Sequence, residues 1–258
     1  MDICVAGGGG FVGKETVGIL SKFEPDIYDP PKGETNLRAR YDFCFICVPT
    51  PQNEDGSCDT GFVIDVLARV KADVFVCLST IPPDMELPAN LVFQPEYVAS
   101  SSPYPAPLAN PRTRGFVIIG GEKPARKKVR RLYERIYPPT TRIMETDSKT
   151  ARVIKYMENS FIATYVSFCN EFYNICRTFG VDYDEVREGF LLDPRMTPWW
   201  TYVYPDKRGW GGHCLPKDTS AIVHASTEAG YSPELLKAVR KFNEDVSYAL
   251  CDQGWRRL

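Results

Sequence analysis

The amino-acid sequence predicts an α/β fold: a Rossmann-type doubly wound sheet followed by a helical domain built on one long central helix. Near the N-terminus, a glycine-rich turn joins an apolar strand to a helical pattern. Strands then alternate with helices as far as residue 145, which indicates a sheet with right-handed crossovers. A run of about thirty residues without Gly or Pro follows until Gly180, apolar on most sides as in a buried helix. We therefore predict an α/β domain over residues 1–145 and a helical domain over residues 146–258.

The first predicted strand, residues 2–6, leads into a G-x-G-x-x-G motif at Gly8, Gly10 and Gly13, and a helix follows to about residue 21. Between a strand and a helix, this motif is typical of dinucleotide-binding turns. The phosphates would lie on the helix N-terminus, so Phe11 and Val12 join the glycines as candidate cofactor-binding residues.

A second short strand, residues 26–28, ends at Asp29. Asp29 lies 21 residues after Gly8, close to the spacing of about 20 for the carboxylate that holds an adenosine ribose. An acid at this position favours NAD over NADP. Asp26 lies close by, and Pro30 and Pro31 bend the chain after Asp29.

Further strands are predicted at 42–48, 74–78, 91–93, 116–119 and 142–144, with helices at 61–71 and around the basic cluster 126–131. The Ser-, Pro- and Ala-rich stretch 99–111 is predicted as a mobile loop or lid. Ligands of doubly wound sheets bind at the carboxyl ends of the strands. Those ends carry the following candidate residues: Val48, Pro49, Thr50, Thr80 and Glu96. Thr and Pro also end strands as ordinary turn residues, and that interpretation stays open.

In the helical half, Thr146, Asp147 and Ser148 offer N-caps for the long helix. Lys155 and Asn159 interrupt its apolar pattern at a spacing of four and therefore share one face. The alternative is that Lys155 extends to solvent. A final helix is predicted from Pro233 to about residue 250.

The stretch Gly209–Asp218 combines glycines with Cys214 and Pro216. Proline suits the first turn of a helix, which places Cys214 at a helix N-terminus, where backbone N–H groups favour a thiolate. Lys217 adds a positive charge and Asp218 a carboxylate. This pattern predicts a nucleophilic cysteine. The alternative is a buried structural cysteine on a glycine-rich loop.

Composition excludes several classes of protein. The 258 residues are 43% hydrophobic, which is enough to bury a hydrophobic core in one or two domains. The net charge of −2 gives no reason to expect a nucleic-acid or membrane partner. We see no membrane-spanning run and no secretory leader. The nine cysteines read as reduced thiols of a cytoplasmic protein, and with only two histidines the sequence predicts no metal site.

Together these segments resemble the UDP-glucose/GDP-mannose dehydrogenase family. The matching motifs occur in family order: GGGFVG (8–13), CVPTP (47–51), STIPP (79–83), QPEY (94–97), KYMEN (155–159), DPRM (193–196) and GWGGHCLPKD (209–218).

The resemblance implies NAD-dependent oxidation of the C6 primary alcohol of a UDP-sugar to a carboxylate through a cysteine thiohemiacetal and thioester. It implies that Cys214 is the nucleophile and that Lys155 and Asn159 stabilise oxyanions. Asp218 with Thr80 would order the hydrolytic water, and Glu96 would act as general base or position that water.

The resemblance also implies a substrate site and an assembly. Arg195 matches an arginine that reaches the neighbouring subunit's sugar, and the long helix would form a homodimer interface. The implied substrate contacts are Glu96, Tyr97, Lys155, Asn159, Arg195 and Gly211.

Three departures from the family pattern keep other functions open. Gln94 replaces Asn, Ser100 stands where a second acid is common, and family members continue into a second α/β domain. We therefore expect a short form without the C-terminal UDP-binding domain, or one to which a separate chain supplies that domain. The alternatives are an NAD-binding non-catalytic remnant or subunit, and a β-hydroxyacid dehydrogenase, which needs no cysteine.

Overall fold

The structure, a computed structural model, describes residues 1–97 and 115–251. The strands are β1 Ile3–Ala6, β2 Asp26–Tyr28, β3 Tyr41–Ile46, β4 Ala72–Cys77, β5 Leu91–Phe93, β6 Phe116–Gly121 and β7 Arg142–Thr146. The helices are α1 Phe11–Ile19, α2 Gly61–Arg69, α3 Lys123–Tyr133, α4 Ser148–Phe179, α5 Tyr183–Phe190, α6 Cys214–Glu228 and α7 Glu234–Cys251.

The strands form one seven-stranded sheet in the order β2-β1-β3-β4-β5-β6-β7. All neighbours are parallel except β5 and β6, which pair antiparallel through Val92 with Gly121 and Phe93 with Gly120. Since β2 lies on one side of β1 and β3 on the other, the strand order reverses at β1. The carboxyl ends of β1 and β3 therefore border the crevice where such sheets bind ligands.

Alternating side chains of the strands bury two apolar layers, one on each face of the sheet. Val5, Phe45 and Val76 face the layer covered by α1 and α3. Cys4 and Cys44 face the layer covered by α2 and the first turns of α4. Buried on both faces, the strands read as nearly continuous apolar runs, which is why the sequence predicts a mostly parallel sheet.

The chain forms two compact units. The first comprises Met1–Glu54 and Cys58–Lys155, and the second comprises Asp55–Ser57 and the chain from Tyr156 onward. In the second, α4 packs Cys169 and Cys176 against Tyr183 of α5. Among the helices of residues 1–97 and 115–251, none combines the length and apolar character that crossing a bilayer requires.

The predicted fold class is confirmed, with differences in detail. The first strand begins at Ile3, one residue later than predicted, and ends at Ala6 as predicted. The third strand ends at Ile46 and α1 at Ile19, each two residues earlier than predicted. The alternation of strands with helices is incomplete, because only the short 3₁₀ turn Pro30–Lys32 lies between β2 and β3. The predicted lid, residues 99–111, lies outside the described residues.

Candidate active site

The glycine turn after β1 brings backbone against backbone. A side-chain carbon on Gly13 would lie 2.1 Å from the Gly7 carbonyl oxygen, and one on Gly7, at φ 76°, would lie 2.6 Å from the Cys47 carbonyl oxygen. Gly10 is the N-cap of α1 and offers no side chain to the first-turn N–H groups. The turn thus leaves a cradle suited to a phosphate, at the predicted residues Gly8, Gly10, Phe11, Val12 and Gly13.

Asp29 lies at the carboxyl end of β2, and its carboxylate reaches this turn. The side chain is buried and accepts a hydrogen bond from the Gly9 N–H at 3.0 Å. Its backbone N–H donates to the Glu34 carbonyl at 2.7 Å. The first-turn N–H groups of α1 fit a phosphate, and the Asp29 carboxylate fits the adenosine ribose of a dinucleotide. The predicted NAD-binding residues that follow β1 and β2 therefore lie side by side.

The ends of β3 and β4 complete the first unit's cradle. Ser79 Oγ donates to the Val48 carbonyl at 2.6 Å. Thr50 is buried, and its carbonyl and that of Thr80 both lie within 4.0 Å of the Cys58 thiol. The predicted residues Val48, Pro49, Thr50 and Thr80 therefore follow neighbouring strands of one sheet edge.

Glu96, Tyr97 and Lys155 form a second group in the first unit. Lys155 Nζ donates to the Glu96 carbonyl at 2.5 Å and stands 5.0 Å above the Tyr97 ring. The Glu96 carboxylate accepts the Tyr97 N–H at 2.6 Å. The Lys155 side chain is half-buried on α4 and contacts Glu96 and Tyr97, so it does not extend into solvent.

Asp218 anchors a polar group in the second unit. It is 2% exposed, and each carboxylate oxygen has a donor: Asn159 Nδ2 at 2.5 Å on one and Lys217 Nζ at 2.5 Å on the other. A buried carboxylate so satisfied is fixed in orientation. Asn159 and Asp218, 59 residues apart in sequence, are thus brought into direct contact.

Cys214 is the first residue of α6 and is exposed. The N-cap, His213, makes no side-chain hydrogen bond to the helix, so this side chain satisfies none of the first-turn N–H groups beside Cys214. Side chains added at Gly211 or Gly212 would meet no atom within 4 Å. Because Cys214 is exposed, the alternative interpretation of this residue as a buried structural cysteine is wrong.

Two buried or half-buried amides hold this loop from α4 and α7. Asn170 Oδ1 accepts from Arg208 Nε at 2.7 Å and from the Gly209 N–H at 3.1 Å. Asn243 accepts the Trp210 N–H at 2.7 Å and donates to the Trp210 carbonyl at 2.9 Å. The sequence does not indicate either amide, because no local pattern pairs Asn170 or Asn243 with residues more than thirty positions away.

Arg195 follows α5 in the second unit. It is exposed and forms a bidentate ion pair with Asp193, with a closest approach of 2.5 Å. That guanidinium lowers the pKa of Asp193. The implied role toward a neighbouring subunit stays a prediction. Within the two described ranges, no three His, Cys, Asp or Glu side chains are arranged to hold a metal ion.

These features define a class of protein: a Rossmann-type α/β unit followed by a helical unit with an exposed cysteine at a helix start. Residues 149–245 match the sequence profile of the UDP-glucose/GDP-mannose dehydrogenase family, central domain. The helical unit is therefore similar to the central domain of that family.

Curated relatives found by sequence similarity include UDP-glucose 6-dehydrogenases. The chain is 30% identical over 273 residues to UDP-glucose 6-dehydrogenase YwqF of Bacillus subtilis, which covers 93% of this chain and 60% of that protein. It is 30% identical over 271 residues to UDP-glucose 6-dehydrogenase of Pseudomonas aeruginosa, covering 89% and 58%. The chain thus spans about 60% of the length of these relatives.

Solved structures share the fold. A UDP-glucose dehydrogenase from Pyrobaculum islandicum matches with a TM-score of 0.76 at 22% identity, over 94% of this chain and 68% of that one. A 3-hydroxyisobutyrate dehydrogenase from Mycobacterium tuberculosis matches with a TM-score of 0.67 at 13% identity, over 96% and 94%.

Proposed function

We propose that the protein is an NAD-dependent dehydrogenase that oxidises the C6 primary alcohol of a UDP-sugar to the carboxylate. The observation that supports this most is Cys214, exposed at the start of α6 behind two glycines that leave open space. The names of the relatives, UDP-glucose 6-dehydrogenases, supply the substrate class.

The dinucleotide would bind at the glycine turn, with its phosphates on the α1 N-terminus and its adenosine ribose on Asp29. When bound, NAD supplies a hydride acceptor, and two equivalents are needed for the four-electron oxidation of an alcohol to an acid. The buried Asp29 carboxylate is already oriented by the Gly9 N–H, so it loses little freedom on binding.

Cys214 would act between the two oxidations. Its thiolate adds to the aldehyde carbon to give a thiohemiacetal, and loss of a hydride from that carbon gives a thioester. Water then cleaves the carbon–sulfur bond, releasing the carboxylate and regenerating the thiol. Lys155 and Asn159 would stabilise the negative oxygen of each tetrahedral species, since a cation and an amide donor match developing charge.

Asp218, Thr80 and Glu96 would order the hydrolytic water, and Glu96 would accept its proton. Asp218 suits an orienting role because both of its oxygens are already engaged by Asn159 and Lys217. Tyr97, Gly211 and Arg195 would contact the substrate.

We further propose a homodimer through α4. One side of this helix leaves a row of apolar side chains exposed at helical spacing: Met157, Phe161, Phe168, Phe172, Ile175 and Phe179. Such a row on one helix is typical of a face that packs against another surface. Sedimentation velocity should give a dimer for the wild type and a monomer for Phe168→Glu; a monomeric wild type would contradict the proposal.

The activity is tested by NADH production, followed by absorbance, across a panel of UDP-sugars. We expect wild type to form NADH with at least one sugar and Cys214→Ser to lose most of the product carboxylate. Cys176→Ala, a buried cysteine on α4 outside the proposed site, is the matched control and should keep activity. Activity that survives Cys214→Ser would favour a β-hydroxyacid type of dehydrogenase. Dinucleotide binding without turnover on any sugar would favour a non-catalytic subunit.

A further inference from the structure

The glycine turn bears a charge arrangement that an unphosphorylated ribose does not require. The Lys32 ammonium donates to the Gly9 carbonyl, while the Gly9 N–H donates to the Asp29 carboxylate. A side-chain carbon placed on Gly9 would lie 2.8 Å from Asp29 Oδ2 and 3.0 Å from Lys32 Nζ. A cation and an anion are therefore held side by side on one residue of the turn.

The chain after β2 turns Lys32 back toward Gly9. Pro30–Lys32 form a single 3₁₀ turn that ends at Gly33, whose φ of 84° suits glycine. The Lys32 N–H donates to the Asp29 carbonyl at 2.8 Å and closes the turn. Every residue from 30 to 40 is exposed, so the ammonium stays open to a ligand on its outer side.

This position governs the choice between dinucleotides. An acid at the end of the second strand binds the adenosine ribose 2′-hydroxyl, whereas a cation close by accommodates a 2′-phosphate. Asp29 alone would repel that phosphate. Lys32, beside it, supplies a positive charge that can form a charge-assisted hydrogen bond to a phosphate oxygen.

We propose that Lys32 is a specificity-determining residue of the dinucleotide site, whose ammonium offsets the Asp29 carboxylate and allows a 2′-phosphorylated dinucleotide to bind as well. The proposal rests on the dinucleotide site of the proposed function but needs no turnover. It deepens that assignment by naming a second accepted cofactor class, NADP, where the acid alone predicts NAD.

The test is binding of NADH and NADPH to the full chain, followed by nicotinamide fluorescence, for wild type, Lys32→Gln and Lys127→Gln. Losing one charge-assisted hydrogen bond should raise the NADPH Kd about tenfold. The NADH Kd should change less than about twofold, because the ribose diol does not need the ammonium. Lys127, exposed on α3, is the matched control and should change neither value.

Three outcomes would overturn the role of Lys32. These are an equal rise of both Kd values in Lys32→Gln, no change in either, or wild type that binds NADH without measurable NADPH binding. Each of them leaves the dinucleotide site intact. Wild type that binds neither dinucleotide would overturn the cofactor assignment of the proposed function itself, and with it this inference. A lower NADPH Kd in Asp29→Asn would support the charge offset.

Discussion

One glycine-rich turn precedes α1 and another precedes α6, and they differ in what a side chain at their glycines would meet. In the first unit, side chains on Gly7 and Gly13 would collide with the protein's own backbone. In the second unit, a side chain on Gly211 would meet nothing within 4 Å, whereas Gly212, at φ 77°, has the left-handed backbone that favours glycine. The first turn needs glycine for the fold to close. The second leaves space that the protein does not fill, which is where a ligand can approach.

The comparison is sharpest for the cysteine next to each turn. Burial raises the pKa of Cys47 to about 12, so roughly one thiol in ten thousand is ionised at pH 8, whereas Cys214 is exposed. We expect iodoacetamide to modify Cys214 at least about a hundredfold faster than Cys47. Mass spectrometry of the two peptides over time measures both rates. Comparable rates would remove the distinction between the turns.

A glycine-to-alanine substitution should change the free energy of unfolding by different amounts in the two turns. Gly13→Ala places a carbon 2.1 Å from the Gly7 carbonyl oxygen, a backbone atom that cannot move aside, so we expect a loss of about 3 kcal/mol or more. Gly211→Ala meets open space and should change the free energy of unfolding by less than about 0.5 kcal/mol. Urea unfolding of both variants measures the difference. Equal losses would mean that Gly211 also serves the fold.

The second turn should depend on its amide anchor instead. Asn170→Ala leaves the Gly209 N–H and Arg208 without their buried acceptor, and we expect a loss of about 2 kcal/mol. Asn174→Ala is the matched control, because it removes only an exposed hydrogen bond to Arg208 and should cost less than about 0.5 kcal/mol. If the two variants unfold at the same urea concentration, the loop is held by other contacts.

We expect the smallest loss of stability at the start of α4, where the side chain of Asp147 caps the helix. Asp147 accepts the Thr150 N–H at 2.8 Å and the Thr150 hydroxyl at 2.6 Å, whereas Gly10 and His213 cap α1 and α6 with no side-chain bond. Asp147→Ala should lose about 1 kcal/mol at pH 7.

This loss should depend on pH. The Thr150 hydrogen bonds lower the pKa of Asp147, so its contribution is complete above the unfolded value of about 3.9 and disappears as the pH falls through the lower folded value. Thermal unfolding of wild type and Asp147→Ala between pH 7 and pH 2 measures the difference. Asp147→Asn keeps a cap without a titrating group, and its stability should lack this pH dependence. A gap between wild type and Asp147→Ala that is constant with pH would contradict the assignment.

Local patterns sufficed for much of the fold. The strands at 26–28 and 91–93 have the predicted bounds, and the helix begins at Cys214 as the position of Pro216 indicated. The antiparallel pairing of β5 with β6 could not be predicted, because strand direction depends on where the chain returns, not on its apolar pattern.

The candidate site divides in the same way. The glycine spacing predicted the close-packed turn between β1 and α1, since its physical requirement is local. The hydrogen bonds of Asn170 and Asn243 to the cysteine loop join residues far apart in sequence, and no spacing rule indicates them. No sequence pattern indicates the role proposed for Lys32, because that role depends on a three-residue turn that brings its ammonium back to Gly9.

The exposed connection between β2 and β3 has a consequence for how this protein can change. Because the side chains of residues 30–40 are exposed, substitutions there other than at Gly33 cost the folded state little, yet they border the proposed site of the adenosine ribose. Cofactor preference can therefore drift, or be redesigned by a small combinatorial library, without compensating changes in the sheet.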